Sequence, residues 1–134
     1  LAVQMPDNFR APSHTAIAEL AQSPRWRSQL GALVRDAPVA PAADYFRWLA
    51  SAARALDIWT TEYLQALPKG DGGDHPVAAW TKGTWLVTFM AALGADDQRA
   101  FGADYAARLA RAYPPLPDGR VLFPFRRLFI VANR

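Results

Sequence analysis

"LAVQMPDN" (residues 1–8) decides how the rest of the chain is read. Leu1, Val3 and Met5 alternate with smaller or polar neighbours, the two-residue period of a strand with one apolar face. Pro6-Asp7-Asn8 then carries turn chemistry, because Pro fixes φ and the Asp and Asn side chains bond their own backbone. The stretch predicts a strand over residues 1–6, entered partway and followed by a loop. No initiator Met stands before it.

Working outward, Pro12-Ser13 opens a predicted helix to about Ala21, with Ile17, Leu20 and Ala21 as its apolar face. Ser23-Pro24 reads as a cap with Pro in the first turn of a second helix, which carries Trp26, Leu30, Leu33 and Val34. After Pro38 and Pro41 a third helix places Phe46, Leu49 and Ala53 on one side. Leu56 to Leu64, "LDIWTTEYL", is rich in strand formers. "KGDGGD" at 69–74 is a loop, after which Asp74 is placed to cap a short helix with Pro76 in its first turn. Gly83-Thr84 breaks two helical pieces, and Gly94 reads as a C-terminal stop. Phe101, Tyr105, Leu109 and Ala112 mark the longest helix, from Asp96 to Tyr113. Asp118-Gly119 is a turn, and Leu128 to Ala132 is an apolar run of strand length. Three strands separated by about six helices give an α/β pattern.

At 134 residues the chain is sized for a single domain, 1–134, with its own core. Half of it is hydrophobic and a fifth charged, the balance of a globular protein. No run of about 18 apolar residues is present, so no membrane partner is expected. The absence of Cys excludes disulfides, thiolate ligands and a Cys nucleophile, and suits a cytoplasmic setting. Thirteen of the 15 basic residues are Arg, and the net charge is +3. The Arg residues are spread among Asp and Glu along helices, which argues against nucleic acid. A guanidinium fork matches a carboxylate or phosphate as readily. No His/Cys cluster, His-Glu zinc motif or nucleophile elbow occurs, so metal and hydrolase readings are set aside.

The opening stretch resembles the fifth strand, and the loop after it, of the S-adenosylmethionine-dependent trans-aconitate 2-methyltransferase family. "APSH" (11–14), "DIWTTEYL" (57–64), "VAAWTKGTWL" (77–86) and "AYPPLPDGRVLFPFRRLFIVANR" (112–134) follow in the family's order and spacing. The resemblance implies the C-terminal part of a Rossmann-like methyltransferase fold, with strands five, six and seven and the N-terminal cofactor-binding half absent from this sequence. It implies a parent that methylates a carboxylate of a small polycarboxylic acid such as trans-aconitate. Here this chain would supply the acceptor side and cover, and would be inactive alone. The seventh strand would lie between the fifth and sixth, antiparallel to both, leaving strand 1–6 without a neighbour and open to self-association. A strictly monomeric species in dilute light scattering would argue against that. The only Gly cluster, Gly70, Gly72 and Gly73, lacks the spacing of a cofactor turn and reads as a surface loop.

Methylating a carboxylate needs no strong base, since the acid is already an anion at neutral pH. No catalytic side chain is therefore named; the work is alignment and exclusion of water. Ligands of open α/β sheets sit beyond the carboxyl ends of the strands. Gln4, Asp7, Asn8, Arg10, Ser13 and His14 gather there in sequence, and the helix opened at Ser13 offers free N–H groups to a carboxylate. The structural alternative makes Ser13 a cap and Asp7 and Asn8 turn residues. Trp85 belongs to a second candidate group with Trp80, Lys82 and Thr84, and Arg126 enters the last strand beside Arg127. Successive strand residues face opposite sides, so at most one of that pair meets a pocket. Asn8, Arg10, Ser13, His14, Trp85 and Arg126 are the expected substrate-binding residues. Tyr45, Trp59 and Tyr63 either line the acceptor pocket or belong to the core. Family members often carry Arg after the Leu matched by Leu86; this chain has Val87, then Thr88 where Pro is usual. The departure implies a less charged acid or a grip supplied by another Arg. The alternative function is a non-catalytic helical binding or assembly module. Restored activity on mixing with an N-terminal half would tell the two apart.

Overall fold

A computed structural model describes residues 1–70 and 74–134. Its strands are β1 (Ala2–Pro6), β2 (Ala55–Leu67) and β3 (Val121–Asn133). Its helices are α1 (Pro12–Ala21), α2 (Arg27–Leu30), α3 (Ala42–Leu49), α4 (Pro76–Lys82), α5 (Val87–Ala91) and α6 (Ala95–Ala112). The sheet order is β1-β3-β2. β1 runs antiparallel to β3, from Ala2 opposite Val131 to Pro6 opposite Arg127. As β2 advances from Trp59 to Tyr63, the rings it meets on β3 step back from Phe129 to Phe125, so this pair is antiparallel too. The chain is therefore α/β with a small antiparallel three-stranded sheet.

Contacts divide the chain into two compact units. The sheet unit holds Leu1–Phe9, Ala37–Leu64 and Pro124–Arg134; the helical unit holds Arg10–Asp36 and Gln65–Phe123. In the helical unit, Ile17, Leu20 and Ala21 of α1 are buried as their spacing requires, and so are Phe101, Tyr105 and Leu109 of α6. Each fully buried side chain of Phe or Leu size contributes about 1.5–3 kcal/mol. Trp26 joins this core with its edge against the Phe101 ring (centroids 5.4 Å apart) while its indole N–H donates to Asp104 at 3.2 Å. In the sheet unit Trp59 stacks on Phe129 at 5.1 Å, and Tyr45 donates to the Met5 sulfur at 3.5 Å. α3 has no buried residue, and Phe46 and Trp48 are exposed.

Several boundaries differ from the sequence reading. The second helix is one short turn, α2, continued by a 3-10 turn at Gly31–Leu33, because Ser23-Pro24 lies in a turn and Trp26 occupies the N-cap position. Gly94 caps the start of α6 rather than stopping a helix before it. His75, not Asp74, is the N-cap of α4, with Pro76 first in the helix. β2 and β3 each run 13 residues, longer than the apolar runs alone predict. Gly119 does take the left-handed φ of +83° that the Asp118-Gly119 turn requires. The expected loop at Gly70, Gly72 and Gly73 lies largely outside the described residues.

Candidate functional site

The expected site residues fall into two groups, one in each unit. In the sheet unit β1 ends at Pro6, and the next residues are tied back to β3. The Asp7 N–H donates to the Arg126 carbonyl at 2.9 Å, and the Asp7 carboxylate pairs with the Arg126 guanidinium at 3.1 Å. The Asn8 Oδ1 accepts the Arg126 N–H at 2.8 Å. Asn8 is buried, and its Nδ2 has no hydrogen-bond partner among the described residues. A buried donor left without an acceptor costs about 1–3 kcal/mol, which marks this amide as a place where an acceptor is wanted. Arg127 meets Gln4 and Tyr63 and lies over the Phe125 ring, so the two neighbouring Arg residues have different partners, as alternation along a strand demands.

In the helical unit, Ser13 is wholly buried at the second position of α1. Its N–H donates to the Tyr113 hydroxyl at 3.2 Å, its carbonyl accepts the Tyr105 hydroxyl at 2.7 Å, and its Oγ lies 3.0 Å from His14 Nδ1. The Tyr105 hydroxyl also sits 3.1 Å from Thr81 Oγ1. Burial pushes the Tyr105 phenol above its ordinary pKa, so it stays a neutral donor. The N–H groups of His14 and Thr15 turn back to the Ala11 carbonyl. The first N–H groups of α1, expected to be free for a carboxylate, thus have protein partners. Sequence reasoning missed this because the acceptor for Ser13 comes from a residue 100 positions away.

His14 extends from that anchor to the Trp85 ring, with centroids 5.8 Å apart and planes tilted by 47°. Burial lowers the His14 pKa to about 4, so the imidazole is neutral at physiological pH. The two residues that the sequence placed in separate candidate groups are brought together here. Trp85 also meets Arg35, whose guanidinium carbon is 5.0 Å from the ring centroid. Sequence reading had not singled out Arg35, which follows an ordinary helical pattern; only its approach to Trp85 reveals it. Trp80 tilts against Phe123 at 5.2 Å, and Lys82 pairs with Asp74 at 2.5 Å. Arg10 is exposed, with no ion pair among the described residues. Tyr45 is half-buried, whereas Trp59 and Tyr63 keep 44% and 38% of their surface exposed, so those two do not belong to the core.

Among the described residues no three His, Cys, Asp or Glu side chains gather to hold a metal ion, and no helix is long and apolar enough to cross a membrane. Among the described residues, β1 is followed by Asp7 and Asn8, both bound to β3, and not by the close-approach glycine turn that would cradle S-adenosylmethionine.

By its fold the chain is of the α/β class. Comparison with known proteins narrows the class. No family model matches. Curated proteins named trans-aconitate 2-methyltransferase do: that of Agrobacterium fabrum is 42% identical over 98% of this chain, and that of Methylobacterium nodulans 44% over all of it. The Streptomyces avermitilis protein is 45% identical, again over the whole chain. The chain spans about half the length of the curated relatives it matches, and corresponds to their C-terminal half. The chain belongs to the trans-aconitate 2-methyltransferase family.

Proposed function

We propose that this chain is the acceptor-binding and covering part of an enzyme that transfers a methyl group from S-adenosylmethionine to a carboxylate of a small polycarboxylic acid such as trans-aconitate. The observation that carries the reading is the identity of 42–45% to curated trans-aconitate 2-methyltransferases along essentially the whole chain. In this reading β1, β2 and β3 are strands five, six and seven of a Rossmann-like sheet, and the strand order β1-β3-β2 supports that assignment. Asn8, Arg10, Ser13, His14, Trp85 and Arg126 are the proposed substrate-binding set. Ser13 acts by holding His14, and Asn8 offers its unpaired Nδ2 as a donor. A neutral His14 suits a reaction whose nucleophile is already anionic, since it can orient an oxygen without carrying a competing proton. The cofactor would be held by residues outside this chain, so no chemical step is assigned to it here.

The test is methyl-ester formation. The full-length polypeptide carrying this sequence, given isotope-labelled S-adenosylmethionine and trans-aconitate, is expected to release a labelled monomethyl ester detectable by mass spectrometry. The 134-residue chain alone is expected to release none. Robust turnover by the short chain would sink the division of labour; no ester from the full-length protein would sink the function. The free edge of β1 further supports a proposal that the short chain self-associates.

A further inference from the structure

The helical unit contains a pocket of about 240 Å³ lined by Ala32, Leu33, Arg35, Trp85, Thr88 and Phe89. It is smaller than the roughly 300–1,000 Å³ of drug-sized sites, which sizes it for a small acid. Its floor is set by local structure. The 3-10 turn at Gly31–Leu33 ends at Val34, whose φ of −70° and ψ of 124° are extended, and the chain leaves the turn there with Arg35 next in line.

Arg35 differs from six of the thirteen Arg residues of this chain. Arg25, Arg47, Arg99, Arg108, Arg120 and Arg126 each pair with a carboxylate. Among the described residues no carboxylate pairs with Arg35; the contact it makes is with the Trp85 ring, at 5.0 Å. A guanidinium attracted to an indole face engages the ring through its charge and leaves its N–H groups able to donate elsewhere. Such N–H groups can take up a carboxylate with two parallel hydrogen bonds. Ala32, Leu33 and Phe89 supply an apolar wall for a short hydrocarbon chain, and the Thr88 hydroxyl adds a second donor. His14, which also meets the Trp85 ring, is uncharged at neutral pH, so it does not compete with Arg35 as a cation there.

We propose that Arg35, over the Trp85 ring and assisted by Thr88, is a specificity-determining residue that grips a carboxylate of the acid other than the one receiving the methyl group. The proposal rests on the polycarboxylate reading above and names the residue that makes a second carboxylate count. It predicts selection for di- and tricarboxylic acids over monocarboxylic acids of the same chain length.

The experiment compares full-length protein carrying Arg35 with the R35Q and R35K variants, using trans-aconitate and crotonate as the three-carboxylate and one-carboxylate probes. R35Q is expected to raise KM for trans-aconitate about 10- to 100-fold, the worth of a charge-assisted pair, with kcat within about twofold. KM for crotonate is expected to stay within about twofold, and R35K to fall between the two, keeping charge but losing the fork. Arg35 is exposed, so folding is not expected to change. An unchanged KM for trans-aconitate in R35Q, or an equal loss on both acids in both variants, overturns the subsite while methyl transfer to carboxylates stands. If the unsubstituted protein methylates neither acid, the proposed function itself fails and the subsite fails with it.

Discussion

The two units treat apolar residues in opposite ways. Among the described residues, the buried hydrophobic side chains lie in the helical unit except for Phe125, Leu128 and Ile130 of β3. The exposed large ones lie in the sheet unit except for Val87 and Leu122: Leu1, Val3, Phe46, Trp48, Trp59, Tyr63 and Leu64 all show substantial surface there. The difference teaches where stability resides. The helical unit has a core of its own, and single losses within it are felt; the sheet unit is held by ladder bonds, ring stacking and surface polar contacts.

The hardest test of that contrast is a pair of aromatic truncations. Phe101→Ala, at a fully buried ring, is expected to lower unfolding free energy by about 3–5 kcal/mol, whereas Trp48→Ala, at a ring 63% exposed, is expected to cost under about 1 kcal/mol by urea denaturation. Equal losses would break the comparison. Next comes acidity. His14 has its folded pKa depressed from 6.5 to about 4 by burial, so between these values the unfolded chain binds a proton that the folded chain does not. Its contribution is therefore intact above about pH 6.5 and declines as pH falls toward 4. Thermal midpoints measured from pH 7 to pH 4 are expected to fall less steeply in His14→Gln than in the parent.

A smaller effect sharpens the picture inside the helical unit. Tyr105→Phe removes the donor to the Ser13 carbonyl and is expected to cost about 1–2 kcal/mol, read as a lower denaturation midpoint at unchanged slope. The smallest belongs to the sheet unit. Arg126→Ala breaks the ion pair to Asp7, whose partners are 51% and 26% exposed, and is expected to cost under about 1 kcal/mol. Repeating the measurement at 1 M salt, where screening acts within about 3 Å, is expected to shrink even that difference.

Elements whose cause is local were legible in the sequence. Pro12 at the start of α1, the three-and-four spacing of Phe101, Tyr105 and Leu109, and the Asp118-Gly119 turn all carry their physics within a few residues. Elements with a distant cause were not. The helix expected to open at Ser23-Pro24 and carry Trp26, Leu30, Leu33 and Val34 is reduced to α2 and a 3-10 turn, and the Trp26 indole turns to Asp104, 78 residues on. β3 passes through Pro124, a residue that argues against an inner strand. It is tolerated because β1 pairs only with residues from Arg127 to Val131, so on that side position 124 is asked for no ladder bond. At the candidate site, the loop after β1 was recognisable from its polar side chains. That α1's first N–H groups are already bonded, and that Arg35 meets Trp85, depends on residues joined only by folding.

The bonds to Ser13 also set a timetable. Its carbonyl and N–H find their partners on Tyr105 and Tyr113, 92 and 100 residues later in the chain. During synthesis at about 5–20 residues per second, α1 is made roughly 5–20 s before either hydroxyl exists. Throughout that interval Ile17, Leu20 and Ala21 have no α6 to pack against. The helical unit is thus completed from its far end, and α1 is the part of that unit that waits longest for shelter.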